Sequence, residues 1–314
     1  MLRSLLCLSL LAVAPTVLAS DRIDPPLPYQ LSATMQQHRF FIDARAPSGQ
    51  ALRLFTDTGG GMLLTTTGAD KLGLEYGKPS GPNEPAGKAR WPNYGSPWVP
   101  PPKSAASMEL AIMVPPEWMA YDGMLGAQWF GDRNWEFDYR AGTLRLLPDG
   151  MLPETEPAHV VKLGFQEDQQ GRRSTHFARI PARIDGEDLQ FLFDTGATFR
   201  LDEAAAGVLG DSEVRQRAGS FINLSVMQRW RERHPDWRYL DKGDGEAAMI
   251  LVPDIEIAGY HSGPTWFSAR PDKAFREYMA QWMDQPVDGA LGGNAFRTFR
   301  ITADYPSATA VFEQ

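Results

Sequence analysis

Apolar and polar positions along this chain change over in short bursts rather than in long helical stripes. Residues 40–44, 52–55, 144–147, 177–184, 189–193 and 248–252 are brief runs rich in aliphatic and aromatic side chains, the signature of half-buried or buried strands. Turn residues punctuate them, notably Pro47-Ser48-Gly49 and Asp185-Gly186, and the second of these suits a tight hairpin. The pattern predicts a mainly β protein. One segment follows another period: Phe275, Tyr278, Met279, Trp282 and Met283 fall at i, i+3, i+4, i+7 and i+8 after Pro271, which predicts an amphipathic helix packed on a sheet. Residues 77–102 hold too much Pro and Gly for a helix or a long strand, and 149–158 reads as a linker between halves.

Composition changes this picture only by exclusion. With 314 residues and 43% hydrophobic content, the chain can bury a large core as one unit or two modest lobes. Its net charge of -8 gives no general attraction to nucleic acid or anionic lipid, so neither is an expected partner. Arg3, the apolar run at 5–13 and the small-residue site at Val17-Leu18-Ala19 read as a secretory signal removed after Ala19, too short to span a bilayer. Cys7, the single cysteine, lies inside that signal. The mature chain is therefore expected to be thiol-free, as suits a bacterial periplasmic or secreted protein with a core large enough to stand without disulfides.

An internal repeat redirects the reading. The stretch LFTDTGGG around Asp57 recurs as LFDTGAT around Asp194, and DGMLGAQWF from Asp122 recurs as DGALGGNAF from Asp288. Asp57 and Asp194 stand the same distance before Leu72-Gly73 and Leu209-Gly210, and Asp122 and Asp288 the same distance before Asp138-Tyr139 and Asp304-Tyr305. A lone Asp-Thr-Gly is an ordinary turn after a strand; its repetition with matched companions implies a duplicated unit. The second copy is longer between its two signatures, and residues 215–237, with Arg229, Arg231 and Arg233, are the expected insertion.

Other chemistry finds little support. Met62-Leu63-Leu64 offers no Lys-Ser/Thr after the glycines for a phosphate loop, no Gly-x-Ser-x-Gly elbow is present, and the five histidines show no metal-ligand spacing. The acidic stretch at 241–246 lacks the remaining ligands of a calcium loop and reads as a solvated hairpin tip. No metal and no cofactor are expected. Asp122 and Asp288 read as structural turn residues, and Asp138-Tyr139 and Asp304-Tyr305 as strand ends.

Paired Leu-Phe strand ends running into Asp-Thr-Gly, with Thr56 interposed in the first, each followed by Asp-Gly-x-Leu-Gly, make the chain similar to the aspartic protease superfamily in its two-lobed, single-chain form. Each half resembles a retropepsin-like subunit. The resemblance implies a bilobal acid-protease fold: a signal peptide at 1–19, one six-stranded β-barrel-like lobe at 20–148, a linker at 149–158, a second such lobe at 159–314, and a cleft between the lobes. It implies a catalytic dyad of Asp57 and Asp194, with Leu125-Gly126 and Leu291-Gly292 buttressing the active-site loops. Thr58 and Thr195 would reach across between the loops, Gly59 and Gly196 would let backbone amides approach the carboxylates, and Thr198 would donate to the outer oxygen of Asp194. Gly61, at the matching place, cannot, which implies a weakened first site. A flap is expected near Trp91 and Tyr94. The implied activity is endopeptidase cleavage of an extended polypeptide by a monomer; the alternative is a catalytically silent peptide-binding protein of the same fold, which would be expected to have lost an aspartate or its threonine. A purely structural envelope protein has only the β content in its favour.

Overall fold

A computed structural model describes residues 24–81 and 84–314; the signal segment and Cys7 lie outside the described residues. All six short apolar runs lie within or across strands, among them Arg39–Arg45, Ala51–Thr56, Thr143–Leu147, Arg179–Ile184, Glu187–Phe193 and Ala247–Val252. Asp185 and Gly186 both take positive φ, 52° and 76°, between strands that pair Ile184 with Glu187. That is the two-residue turn whose twist matches a β-hairpin.

The first half of the chain forms a seven-stranded sheet and the second half a nine-stranded one. In each, the strand ending at the Asp-Thr-Gly runs parallel to the short strand that carries the Leu-Gly signature: Ala51–Thr56 along Gly123–Leu125, with Thr56 opposite Leu125, and Glu187–Phe193 along Gly289–Leu291, with Phe193 opposite Leu291. The pairing continues one residue into the loops, since the Asp57 amide donates to Leu125 O at 3.0 Å and the Asp194 amide to Leu291 O at 2.9 Å. Asp122 and Asp288 serve this pairing. Their carboxylates accept the amides of Arg53 and Gln190 at 2.8 and 3.0 Å, and Lys71 and Arg276 pair with them from outside. Each thus satisfies a strand amide that the parallel ladder leaves open.

A third sheet joins the halves. Its six strands run in the order Tyr29–Gln30, Thr143–Leu147, Asn134–Asp138, Arg300–Asp304, Thr309–Glu313 and Val160–Lys162, and its middle pair sets Glu136 opposite Thr302. Residues 149–158 connect two of these strands. Beneath lies one continuous core that includes Leu54, Phe137, Phe193, Phe296 and Ile301. The described sheets run from edge strand to edge strand, so the expectation of six-stranded barrel-like lobes gives way to open sheets of seven and nine strands plus a shared one.

Two further expectations need correction. The stripe at 275–283 is no regular helix: Ala274–Tyr278 is a wide π-turn and Met279–Trp282 a tight 3-10 turn. The break splits the stripe, sending Phe275 and Met283 into a core cluster with Val287 while Tyr278 is left 62% exposed. The insertion also lies earlier than 215–237. Ser220–Asn223 sits between the Leu-Gly strand and Thr265–Arg270, as Leu63–Thr65 sits between its Leu-Gly strand and Glu109–Met113. The helices Leu224–Arg233 and Thr66–Leu72 follow them. The extra material before Ser220–Asn223 is the two-stranded ribbon Thr198–Arg200 and Gln216–Ala218 with the helix Glu203–Val208.

Phe137, fully buried in the shared sheet, meets the rings of Phe40, Phe130 and Phe193. Phe137→Ala is expected to cost about 3–5 kcal/mol, measured as a fall in ΔG of urea unfolding.

Candidate active site

The two Asp-Thr-Gly loops meet tip to tip and interlock. Thr58 Oγ1 donates to Phe193 O at 2.6 Å and accepts the Thr195 amide at 2.9 Å; the Thr58 amide donates in return to Thr195 Oγ1 at 3.3 Å. Both threonines are fully buried. The glycines interlock too. A Cβ on Gly59 would stand 2.4 Å from Asp194 Cγ, and one on Gly196 only 2.2 Å from Asp57 Cγ. Each loop's missing side chain is the space that the opposite carboxyl fills, so alanine at either place collides with it.

Asp57 and Asp194 hydrogen-bond to each other at the centre of this arrangement. Burial raises the pKa of Asp57, while the hydrogen bond from Asp194 and the amides of Gly59 and Gly60 pull the other way. Asp194 stands well above the ordinary carboxyl range, first through burial and then through the charge and hydrogen bond of Asp57. Two carboxyls this close cannot both ionise, so the pair as a whole retains one proton. The Asp57 charge also adds to burial in raising the phenol pKa of Tyr121.

The auxiliary hydroxyl falls elsewhere than expected. Thr198 Oγ1 donates to Gly196 O at 2.7 Å and accepts from Arg39 at 3.4 Å. Backbone amides take its place: Gly196 and Ala197 support Asp194 as Gly59 and Gly60 support Asp57. A Cβ on Gly61 would meet nothing within 4 Å, whereas one on Gly60 would lie 2.5 Å from Asp57 Oδ2. Gly59 and Gly60 are thus the sterically constrained glycines of the three. The flap expectation fails as well, because Tyr94 is 3% exposed within the core and packs edge-on against Trp91.

Two cavities flank the dyad. One of about 740 Å³ opens on the Gly59 and Gly61 side and is walled by His176, Phe177, Tyr278, Met279 and Trp282; these are the remaining members of the broken helical stripe and the strand-like run before Asp194. The other, about 280 Å³, is lined by Asp57, Gly196, Tyr121, Met124, Trp118 and Arg39, among others. Sequence reasoning passed over Tyr121, although it directly precedes the Asp122-Gly123 signature, and Arg39, which carries no local motif. The ribbon after Asp194 closes this side: the Ala218 amide donates to Gln37 O at 3.0 Å and Gln216 Nε2 to Trp118 O at 2.6 Å. Among the described residues no group of three His, Cys, Asp or Glu side chains is placed to hold a metal.

No protein-family model and no curated protein matches the chain.

The glycine geometry gives a direct check. Gly60→Ala is expected to destabilise the fold by about 1–3 kcal/mol through overpacking against Asp57. Gly61→Ala is expected to be neutral or to stabilise it by up to about 1 kcal/mol, through the unfolded chain. Urea midpoints of the two variants at one pH decide between them.

Proposed function

We propose that the chain is an exported, monomeric, two-lobed aspartic endopeptidase that hydrolyses peptide bonds with water. The observation that carries this reading is the interlocked dyad: two carboxyls on crossed loops, within hydrogen-bonding reach of each other, with burial raising the pKa of both. Ionised Asp57 takes a proton from water as its oxygen attacks the scissile carbonyl carbon. Asp194 gives its proton to the carbonyl oxygen. As the tetrahedral intermediate collapses and its C–N bond breaks, Asp57 gives its proton to the departing amine nitrogen and Asp194 takes one back from a hydroxyl of the gem-diol, which reforms the carbonyl and restores the single-proton dyad. No metal or nucleophilic side chain is required, because one carboxyl pair supplies both the base and the acid. The flanking cavities favour an extended polypeptide with an apolar or aromatic residue on the Trp282 side. The charged, apolar and small-residue order of residues 3–19 supports export to the periplasm or beyond. A catalytically silent peptide binder would have no use for two half-buried carboxyls held against each other at a cost to stability.

Cleavage of a denatured protein by residues 20–314, assayed from pH 3 to 8, tests the proposal. Asp57→Asn and Asp194→Asn are each expected to lose about 10²–10⁴-fold in kcat/KM; an inert wild type, or full activity in either variant, overturns it. Activity is expected to fall at the alkaline end, where Asp194 loses its proton, and at the acid end, where Asp57 gains one.

Stability follows the same titration. A carboxyl whose folded pKa is raised contributes stability that is fully present below the unfolded value of about 3.9 and is lost as pH rises through the folded pKa. Asp194→Asn is therefore expected to raise the urea midpoint most at pH 8, with a gain that shrinks toward pH 3.

A further inference from the structure

The smaller cavity beside Asp57 contains a feature that the dyad does not use. Arg39, on the strand Arg39–Arg45, is only 5% exposed. Among the described residues its guanidinium forms no ion pair. Its contacts are Thr198 Oγ1 and Gln216 Oε1, both at 3.4 Å, and Gln216 O at 3.2 Å, while Nε has no partner. These distances lie at or beyond the long end of good N–H···O bonds. The Phe41 and Phe55 rings pack 5.6 and 6.0 Å from its centre, and burial pushes its pKa down to about 10, so it stays cationic at any pH where the protein would work. Arg200 reaches the same cavity from the ribbon, stacked 4.9 Å over Trp118 and likewise without an ion pair among the described residues.

Burying an unpaired cation is costly, and such groups persist where a partner arrives from outside the chain. The dyad carries one negative charge, so a cavity with two guanidinium groups is left with an excess positive charge. A planar guanidinium with free donors suits a carboxylate, which can accept two of them at once. Resting on the endopeptidase reading above, we propose that Arg39, with Arg200 at the rim, determines specificity by binding a carboxylate of the substrate peptide in the subsite beside Asp57. That carboxylate is an Asp or Glu side chain, or the free C-terminus of the peptide. The ribbon that supplies Thr198, Arg200 and Gln216 has no counterpart between Asp57 and the strand Leu63–Thr65 in the first half, so the preference belongs to one side of the cleft only.

The test begins with cut sites in a denatured protein digest, mapped by mass spectrometry. It continues with kcat/KM for synthetic peptides spanning the preferred site that differ by Glu against Gln, or by a free against an amidated C-terminus. Acidic residues concentrated at one fixed position, with at least a tenfold preference for Glu over Gln, identify the side chain as the source. Cuts at a fixed distance from the end that require the free carboxylate identify the C-terminus. Arg39→Gln is expected to bring the preference toward one, acting mainly through KM. Arg200→Gln, at an exposed position, is expected to reduce it several-fold. Cleavage with equal kcat/KM within both peptide pairs overturns the proposal and leaves the endopeptidase reading standing. If no peptide is cut, that reading fails instead, and equilibrium binding of the same pairs, followed by fluorescence anisotropy, decides: tighter binding of the carboxylate member, lost in Arg200→Gln, supports the subsite, and equal binding overturns it.

Discussion

Everything at the centre of this molecule depends on two loops that cannot be built apart. Thr58 bonds to the backbone at Phe193 and Thr195, and Gly59 and Gly196 vacate the volume that the opposing carboxyls occupy. Two carboxyls in such surroundings repel each other when ionised and are poorly solvated, so the pair is an electrostatic liability. It persists because the backbone on both sides is over-determined. Each loop hangs from a strand paired in parallel with its Leu-Gly neighbour, and that pairing is tied in turn by the carboxylate of Asp122 or Asp288. The shared sheet then fixes one half against the other through Glu136 and Thr302. The stability stored in these layers offsets the cost of the site at their meeting point.

The duplication is plain in both sequence and space, but the two do not match residue for residue. Leu72-Gly73 and Leu209-Gly210 stand equally far from their aspartates and both follow short capped helices, Thr66–Leu72 and Glu203–Val208. Yet the strand before the first helix lies inside its sheet, whereas the strand before the second lies outside, in the ribbon. The inner position goes to Ser220–Asn223, which restores the sheet order after the extra material. A strand's place in a sheet is decided by the partners that bury its faces, not by its distance from a motif. Equal spacing therefore led the sequence reading to place the insertion too late.

What could be read from the sequence was whatever depends on short-range rules. The Asp185-Gly186 hairpin and the six apolar runs follow from turn chemistry and alternation, and the two aspartates from repetition of a tripeptide. What could not be read depends on neighbours from distant parts of the chain. The stripe from Phe275 to Met283 has helical spacing, but its residues serve two surfaces, a core cluster and a cavity, and no straight helix can face both. Residues 91–98 look like an aromatic loop tip, yet Tyr94 finds a buried place among Ala46 and Val99. Gly61 stood out as the place matching Thr198, although only the backbone path shows that Gly59 and Gly60 are the glycines packed against the carboxyls.

The dyad is close to symmetric and its surroundings are not, and that difference separates chemistry from selection. Backbone amides support both aspartates in the same way, Gly59 and Gly60 on one side and Gly196 and Ala197 on the other. The retained proton belongs to the pair. The walls beyond are unmatched. Aromatic and sulfur-bearing side chains of the broken stripe line one cavity, and Arg39 from its strand and Arg200 from the ribbon bring guanidinium groups to the other. A peptide lying across the proposed site would therefore meet an apolar surface at one end and a cationic one at the other, which orients it before any bond is broken. On the proposed reading, direction along the cleft would draw on the broken stripe and the ribbon, where the repeat fails, together with Arg39, while the reaction would draw on the paired Asp-Thr-Gly loops, where it holds.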